Sequence, residues 1–489
     1  MTVDPITLRV VSGALRAACE EMGAVLIRAA HSANIKERRD ASCALFDPAG
    51  RMVMQAEHIP VHLGAMPAAV EAVAGEQHVP DVAWVLNDPY RGGTHLPDIT
   101  VVTPAFDSDG TLLGFAANRA HHADVGGPTP GSMPADSTRL AEEGVVIAPR
   151  PLDGAAIDEL VAQMRQPAQR RADLRAQLAA NRKGADRLRE LHERGGLQTA
   201  MAATIDYAER RMRACLAALP DGTRHARDVL EAREGDLELE LEATVRGDEL
   251  TLDFSGSAAQ HEGNLNCPLS VTRSACWFAV RVITDPDIPP NAGAYRPIAV
   301  IAPDGSLLNA RPPAAVVAGN VETSSRVADL VLAAFGRALG QGTMNNLTLG
   351  AESFTYYETL GGGQGACADA DGPSGVHVAM SNTLNTPVEA LELEFPLLVR
   401  RYAVRRGSGG AGRRRGGDGV VRELEARIAM EFSLLTERRR HAPPGAAGGG
   451  PGAPGRNLLD GRPLPAKASG TLRPGQTLSI ETPGGGGFG

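Results

Sequence analysis

The chain has 489 residues, 43% hydrophobic and 22% charged, the balance of a folded globular protein long enough for two or three domains. A net charge of −9 argues against a whole-surface nucleic-acid binder, and no apolar run is long enough to cross a membrane. Glycine and proline, 56 and 34 residues, are in excess, so many loops and tight turns are expected.

In chain order, Asp4-Pro5 reads as the cap and first residue of a helix whose apolar positions run Leu8, Val11, Leu15, Met22, Leu26 and Ala30. No basic segment leads into an apolar stretch at the N-terminus, so no signal peptide is expected. A β-hairpin is expected over 41–56 around Asp47-Pro48-Ala49-Gly50, then a short helix at 67–74 and a strand at 83–86. A second hairpin pairs 99–106 with 111–118 across Asp107-Ser108-Asp109-Gly110. Residues 154–218 read as helical, broken at Gly195-Gly196, and would form an αα-hairpin or arm. Sheet resumes at 237–245 and 250–254, and a helix fits 326–339. Glycine-rich stretches at 407–419, 445–455 and 484–489 close the chain. The fold class is mixed α+β. Four regions are expected: 1–150, 151–222 (the arm), 223–405, and a glycine-rich 406–489 packing on the core or on a subunit interface.

The six cysteines form no CxxC, so neither a zinc knuckle nor a disulfide framework is expected, and a reducing cytoplasm is the simplest compartment. None of the three lysines, Lys36, Lys183 and Lys467, lies in a GxxxxGK[ST] context, which excludes a Walker P-loop. The basic helical segment 165–194 reads as a solvated face. Arg405, Arg406 and Arg413 to Arg415 read as a solvated basic loop, and the Gly484–Gly487 run as either a flexible tail or an insert at a pocket or interface.

Chemistry concentrates between residues 58 and 122, which hold six of the twelve histidines: His58, His62, His78, His95, His121 and His122. With the second hairpin's turn centred between Ser108 and Asp109, pairing sets Asp98 opposite Arg119 and His95 opposite His122. Thr94-His95-Leu96-Pro97-Asp98 and Ala120-His121-His122-Ala123-Asp124 then meet at the hairpin's open end. A shift of one residue would exchange His121 for His122 as the inward ring. Two imidazoles with one or two carboxylates and no thiolate suit Zn²⁺, Mn²⁺ or Fe²⁺, which could polarise a carbonyl or activate a water. Gly92-Gly93 and Gly126-Gly127 flank the cluster and are candidates to hold a phosphate or oxyanion on their backbone, with Asp88 in support. His58 and His62 are read as structural or as pocket lining.

These motifs resemble a known family. Asn87-Asp88-Pro89-Tyr90 with Gly92-Gly93-Thr94-His95-Leu96-Pro97-Asp98, and His121-His122-Ala123-Asp124-Val125-Gly126-Gly127, are similar to the hydantoinase B signature. So are Gly319-Asn320-Val321-Glu322-Thr323-Ser324, Glu394-Phe395-Pro396 and the Glu481–Gly487 tail. The family includes N-methylhydantoinase B subunits, the C-terminal half of 5-oxoprolinase, and related subunits of ketone carboxylases and caprolactamase. The resemblance implies a metal held by His95, Asp98 and His121, with His122 or Asp124 as an added ligand or general base. It also implies a hetero-oligomer, in which a separate hydantoinase A-type subunit binds ATP and phosphorylates the substrate oxygen before this chain completes hydrolysis of a cyclic amide. Carboxylation of a ketone, and a scaffold without catalysis, are the alternatives.

Overall fold

The structure is a computed structural model that describes residues 3–57 and 59–489. His58 lies outside the described residues. Helix α1 (Pro5–Ala29) starts as its sequence dictates, with Asp4 Oδ1 accepting the Ile6 and Thr7 N–H groups at 3.0 and 3.1 Å. A single turn, α2 (Ala33–Lys36), leads to strands β1 (Ala41–Phe46) and β2 (Met52–Glu57). Helix α3 (His62–Ala74) begins at His62 rather than Pro67, so that ring sits in its first turn. Strands β3 (Ala83–Leu86), β4 (Asp98–Phe106), β5 (Leu112–His121) and β6 (Arg150–Leu152) complete a six-stranded sheet of order β2-β1-β5-β4-β3-β6.

Helices α4 (Gly154–Val161), α5 (Pro167–Glu193) and α6 (Leu197–Ala217) follow. They do not form a projecting arm, because α5 lies along α1, β4 and β5 and buries Leu174, Ala180 and Leu188. The six-stranded sheet is thus covered on both faces, and the two-residue period of β5 divides its side chains between them. Phe115 and Ala117 join the core under α3 with Phe46, Met66 and Val70. Ala116 and Ala120 join the core of α1 and α5 with Leu15, Met22 and Ala180.

The β4–β5 register differs from expectation by two residues. Asp98 faces His121, and Thr100 faces Arg119. One residue comes from the turn, which closes between Asp107 and Thr111 and so centres on Asp109. The other comes from a bulge between Ala105 and Phe106. Because the displacement is even, each side chain keeps its face.

Strands β7 (Gly222–Ala232), β8 (Gly235–Arg246), β9 (Glu249–Asp253) and β10 (Ile298–Ile301) form a second sheet, with β10 parallel to β9. Helix α7 (Leu269–Ile283) packs on α3, and α8 (Ala292–Tyr295) on α6. Helix α9 (Ser324–Ala334) packs on α7, β7 and β8, and follows a π-helical turn, Gly319–Thr323.

Two more sheets enclose Leu347, Phe354, Tyr356, Leu424, Phe432 and Ile480. One joins β11 (Asn346–Ala351) and β12 (Phe354–Glu358) to later strands; helix α10 (Val388–Glu394) leads into the other, through β13 (Leu397–Arg405) and β14 (Gly419–Ala426). The remaining strands are β15 (Met430–Leu435), β16 (Arg456–Leu459), β17 (Arg462–Leu464), β18 (Lys467–Leu472) and β19 (Thr477–Glu481). Their orders, β12-β11-β15-β18 and β13-β14-β19-β16-β17, cross residue 405, so the expected 223–405 and 406–489 regions share both sheets.

The Gly484–Gly487 run is buried rather than a free tail, while Arg406, Arg413 and Arg415 of the basic loop stay exposed as expected and glycines of that loop, Gly410 and Gly417 among them, pack inward. The glycine-rich segments run beside one another and are joined backbone to backbone: Gly410 N–H donates to Gly485 O, Gly485 N–H to Gly417 O, Gly417 N–H to Gln364 O, and Gly487 N–H to Gly450 O, at 2.9 Å each. A Cβ on Gly485 would stand 2.1 Å from Gln364 O, so glycine is what permits the approach.

Candidate metal centre

The hairpin mouth places three donors in a near-equilateral triangle. Asp98 opens β4, His121 ends β5, and His95 reaches the same point from the turn whose carbonyl accepts the Asp98 N–H at 3.1 Å. His95 Nε2 lies 3.2 Å from His121 Nδ1 and 3.2 Å from Asp98 Oδ1, and His121 Nδ1 lies 3.1 Å from Asp98 Oδ1. All three residues are buried. Whatever the tautomers, hydrogen bonds cannot satisfy the triangle, because one of its contacts always sets two donors or two lone pairs against each other. A cation answers all three lone pairs. Ligands about 2.0–2.1 Å from one ion stand roughly 3.0–3.4 Å apart, which matches this spacing. Two histidines and one carboxylate also leave coordination positions open. The residues present therefore fit a divalent transition metal.

Neighbouring groups fix these side chains. Thr94 Oγ1 donates to Asp98 Oδ2 at 2.6 Å. Tyr357 of β12 stacks on the His121 ring, with centroids 4.4 Å apart, and the Arg38 guanidinium lies over the Tyr357 ring, 4.6 Å from its centroid. His62, from the first turn of α3, donates to or accepts from Ser42 Oγ through Nδ1 at 2.9 Å and points Nε2 toward Asp98 Oδ2 at 3.5 Å. Burial would raise the Asp98 carboxyl, but the facing rings of His95, His121 and His62 outweigh it and hold the group well below the usual carboxylate range. Burial lowers the His121 imidazole, with Asp98 opposing, which favours the neutral ring that binds metal. The outer nitrogens His95 Nδ1 and His121 Nε2 are buried without a protein partner.

The triangle forms part of the wall of a small cavity of about 20 Å³, which is also lined by Asp40, His62, Asn320, Val321, Met344 and Tyr357. Asn320 and Tyr357 come from the π-helical turn and from β12, more than 190 residues further along the chain. No local pattern marks Tyr357; the Gly319-Asn320 motif was visible only as part of a family segment.

The remaining expected site residues lie elsewhere. His122 is one step along from His121 and so faces the opposite side of the sheet, where Nε2 meets Gln177 Oε1 of α5 at 2.9 Å. Burial first, with Arg170 adding to it, brings the His122 imidazole down to about 4. Asp124 organises the following loop. It accepts the Gly126 and Gly131 N–H groups at 2.7 Å and pairs with Arg165 at 3.1 Å. Neither residue lines the cavity, which moves both away from the expected general-base role.

The glycine pairs are also committed to packing. The Gly93 N–H donates to Asp88 O, and Gly92 O accepts from Arg119 Nη2, both at 2.8 Å. Gly126 N–H is taken by Asp124, and a Cβ on Gly127 would press on the Gly144 backbone. Asp88 caps the 3-10 turn Pro89–Arg91 by accepting the Tyr90 N–H at 3.0 Å. The Gly93 and Gly126 N–H groups are thus taken within the protein, and Asp88 serves its own turn. Among the described residues no helix is long and apolar enough to cross a membrane.

Comparison with known proteins identifies relatives of the whole chain. The family model described as "Hydantoinase B/oxoprolinase" matches residues 4–489. The chain is 41% identical to 5-oxoprolinase 1 of Arabidopsis thaliana over 99% of its own length and 42% of that protein's, so it spans about two fifths of that curated relative. Among solved structures, the ATP-dependent caprolactamase from Pseudomonas jessenii superposes with a TM-score of 0.92 at 29% identity, covering 100% of this chain and 92% of that one. A nucleotide-free acetone carboxylase shares the fold at a TM-score of 0.88 and 18% identity, over 99% of this chain and 76% of that one.

Proposed function

The chain belongs to the hydantoinase B/oxoprolinase family, and from that premise we propose that it completes the ATP-dependent hydrolysis of a cyclic amide. ATP is bound by a partner of hydantoinase A type, which phosphorylates the ring carbonyl oxygen. A planar amide resists water because attack breaks its resonance; phosphorylation leaves an imidate-like carbon. Addition of water there and cleavage of the C–N bond give a ring-opened acyl phosphate, and a second water releases carboxylate and phosphate.

The observation that carries this reading is the triangle of His95, Asp98 and His121 on the wall of a small cavity. A divalent ion held there would supply Lewis acidity and acidify a water. Asp98 offsets part of its charge, while His95 and His121 donate neutral nitrogens. Tyr357, stacked on the His121 ring, restricts the orientation of that ring. With His122 and Asp124 facing away, His62 is the ring on the cavity wall placed to take up a proton.

The test is to purify the chain together with a hydantoinase A-type subunit from the same organism. Hydantoin, 5-oxoproline and larger lactams are then screened for ATP-dependent ring opening, with a ketone and bicarbonate as the contrasting substrate pair. Ring opening together with about one transition metal per chain supports the proposal. Bicarbonate-dependent consumption of the ketone alone, or full activity without metal, contradicts it.

A further inference from the structure

Room decides what each space near the triangle can take. The cavity lined by His95, Asp98 and His121, about 20 Å³, holds about one water and no ring. Two short segments of chain close it on one side, and their residues are divided between two spaces. Ile59, Val61 and His62 line the cavity, while Pro60 and Leu63 line a second, open pocket. Likewise Met380 and Thr383 line the cavity, while Val378 and Ala379 line the pocket. Ser381 lines both. The two spaces thus lie on either side of one layer of chain and meet at Ser381.

The outer pocket has a volume of about 480 Å³, within the span of roughly 300–1,000 Å³ common for small-molecule sites. A larger pocket beside α5, about 640 Å³, shares no lining residue with the metal cavity among those described. Apolar side chains form much of the outer wall: Leu63 of α3, Phe278 and Val282 of α7, and Leu332 of α9. Val282 is 45% exposed, so this pocket leaves apolar surface open to solvent. The layer that divides the two spaces is held in an unusual shape. Ala379 has φ +52°, a left-handed conformation uncommon for a residue with a Cβ and one that clusters at ligand sites. His377 Nδ1 lies 3.1 Å from Ser381 Oγ. Burial first, with Arg38 adding to it and Asn385 opposing, brings the His377 imidazole down to about 4, so the pair at the junction is uncharged near neutral pH. An apolar wall ending in a neutral polar pair suits a ligand with a hydrocarbon frame and one uncharged polar edge.

Resting on the cyclic-amide reading above, we infer that the outer pocket seats the carbon frame of the ring, with its amide edge at Ser381, and that the inner cavity holds the water that attacks it. The water and the ring are thereby kept in separate spaces until they meet at the junction. Leu63, Phe278, Val282 and Leu332 then set which ring sizes this chain accepts.

The experiment uses the chain assembled with its ATPase subunit, with metal content determined for every preparation. kcat/KM is measured for each ring that the native complex opens and for its homologue one methylene larger. Val282→Trp and Ala338→Phe narrow the pocket from two parts of its lining, so one remains if the other fails to fold, and Phe278→Ala widens it. Ile301→Trp, at an exposed aliphatic position of β10 outside the pocket, is the control. The ATPase subunit is the same throughout, so a change in ring-size preference belongs to this chain. The narrowing variants should shift preference toward the smaller ring by about tenfold or more, and Phe278→Ala toward the larger ring by a similar factor, with metal retained and the complex intact on gel filtration. Ser381→Ala should lower kcat/KM by about tenfold for all rings alike. Unchanged preference in the pocket variants, an equal shift in Ile301→Trp, or full activity of Ser381→Ala overturns the assignment while leaving the cyclic-amide reading in place. Loss of the complex on Val282→Trp does the same, by making this face a contact with the partner. Absence of any ring opening by the metal-loaded native complex overturns that reading and this assignment together.

Discussion

The two faces of the sheet at the mouth of the β4–β5 hairpin carry polar side chains of similar kind and end in different chemistry. On the α5 face, Asn118 Nδ2 donates to Gln177 O and Asn181 Oδ1, Gln177 Nε2 donates to Ile99 O and Asn118 Oδ1, and His122 closes the set on Gln177. On the α3 face, one residue away, His95, His121 and Asp98 crowd together with a contact that hydrogen bonds cannot satisfy, beside a cavity. The first arrangement is a polar network that spends its valences internally and fixes α5 to the sheet. The second keeps valences for something that binds. Adjacent histidines thus differ in role because a strand alternates.

Breaking the α3 face should cost most. Asp98→Ala or His95→Ala should remove the metal and lower ATP-dependent turnover by about 10³-fold or more, corresponding to loss of several kcal/mol of charge stabilisation. Metal analysis and steady-state kinetics on the assembled complex check this. On the other face, Gln177→Ala leaves Asn118 and His122 short of partners in the core. It should lower unfolding stability by about 2–3 kcal/mol in urea with metal content unchanged.

The pH dependence sharpens the contrast. His122 is held neutral, its imidazole brought down to about 4 from 6.5 chiefly by burial. Its folded-state pKa lies below the unfolded value, so the unfolded chain binds the extra proton. The associated stability is full above pH 6.5 and is lost as pH falls through the window to about 4. Urea titrations of His122→Leu should lack this slope, near one proton, relative to the native chain. The smallest effect is expected at Tyr357→Leu, which removes the ring stacked on His121 and leaves the ligands in place. Metal affinity should fall about tenfold, read by competition with a chelator.

Local chemistry explains what was legible in the sequence. Asp4-Pro5 announced α1, and the Asp107–Gly110 turn announced the β4–β5 hairpin, so the convergence of His95, Asp98 and His121 could be anticipated from short-range pairing. The bulge at Ala105 was not legible, because a bulge is set by how β5 meets β1 rather than by the residues of the turn. Gly114 shows this, since a Cβ there would stand 2.1 Å from Phe46 O. Asn320 and Tyr357 reach the cavity by tertiary packing, which no spacing rule encodes. The glycine-rich segments look like linkers by composition; only their mutual hydrogen bonding reveals that the missing side chains are what allow the backbones to meet.

The most direct measurement compares bound metal in His121→Ala and His122→Ala, purified in parallel. The account predicts that the first is metal-free and that the second retains about one ion per chain while losing stability. Metal retained by His121→Ala, or lost from His122→Ala in a folded protein, would contradict it.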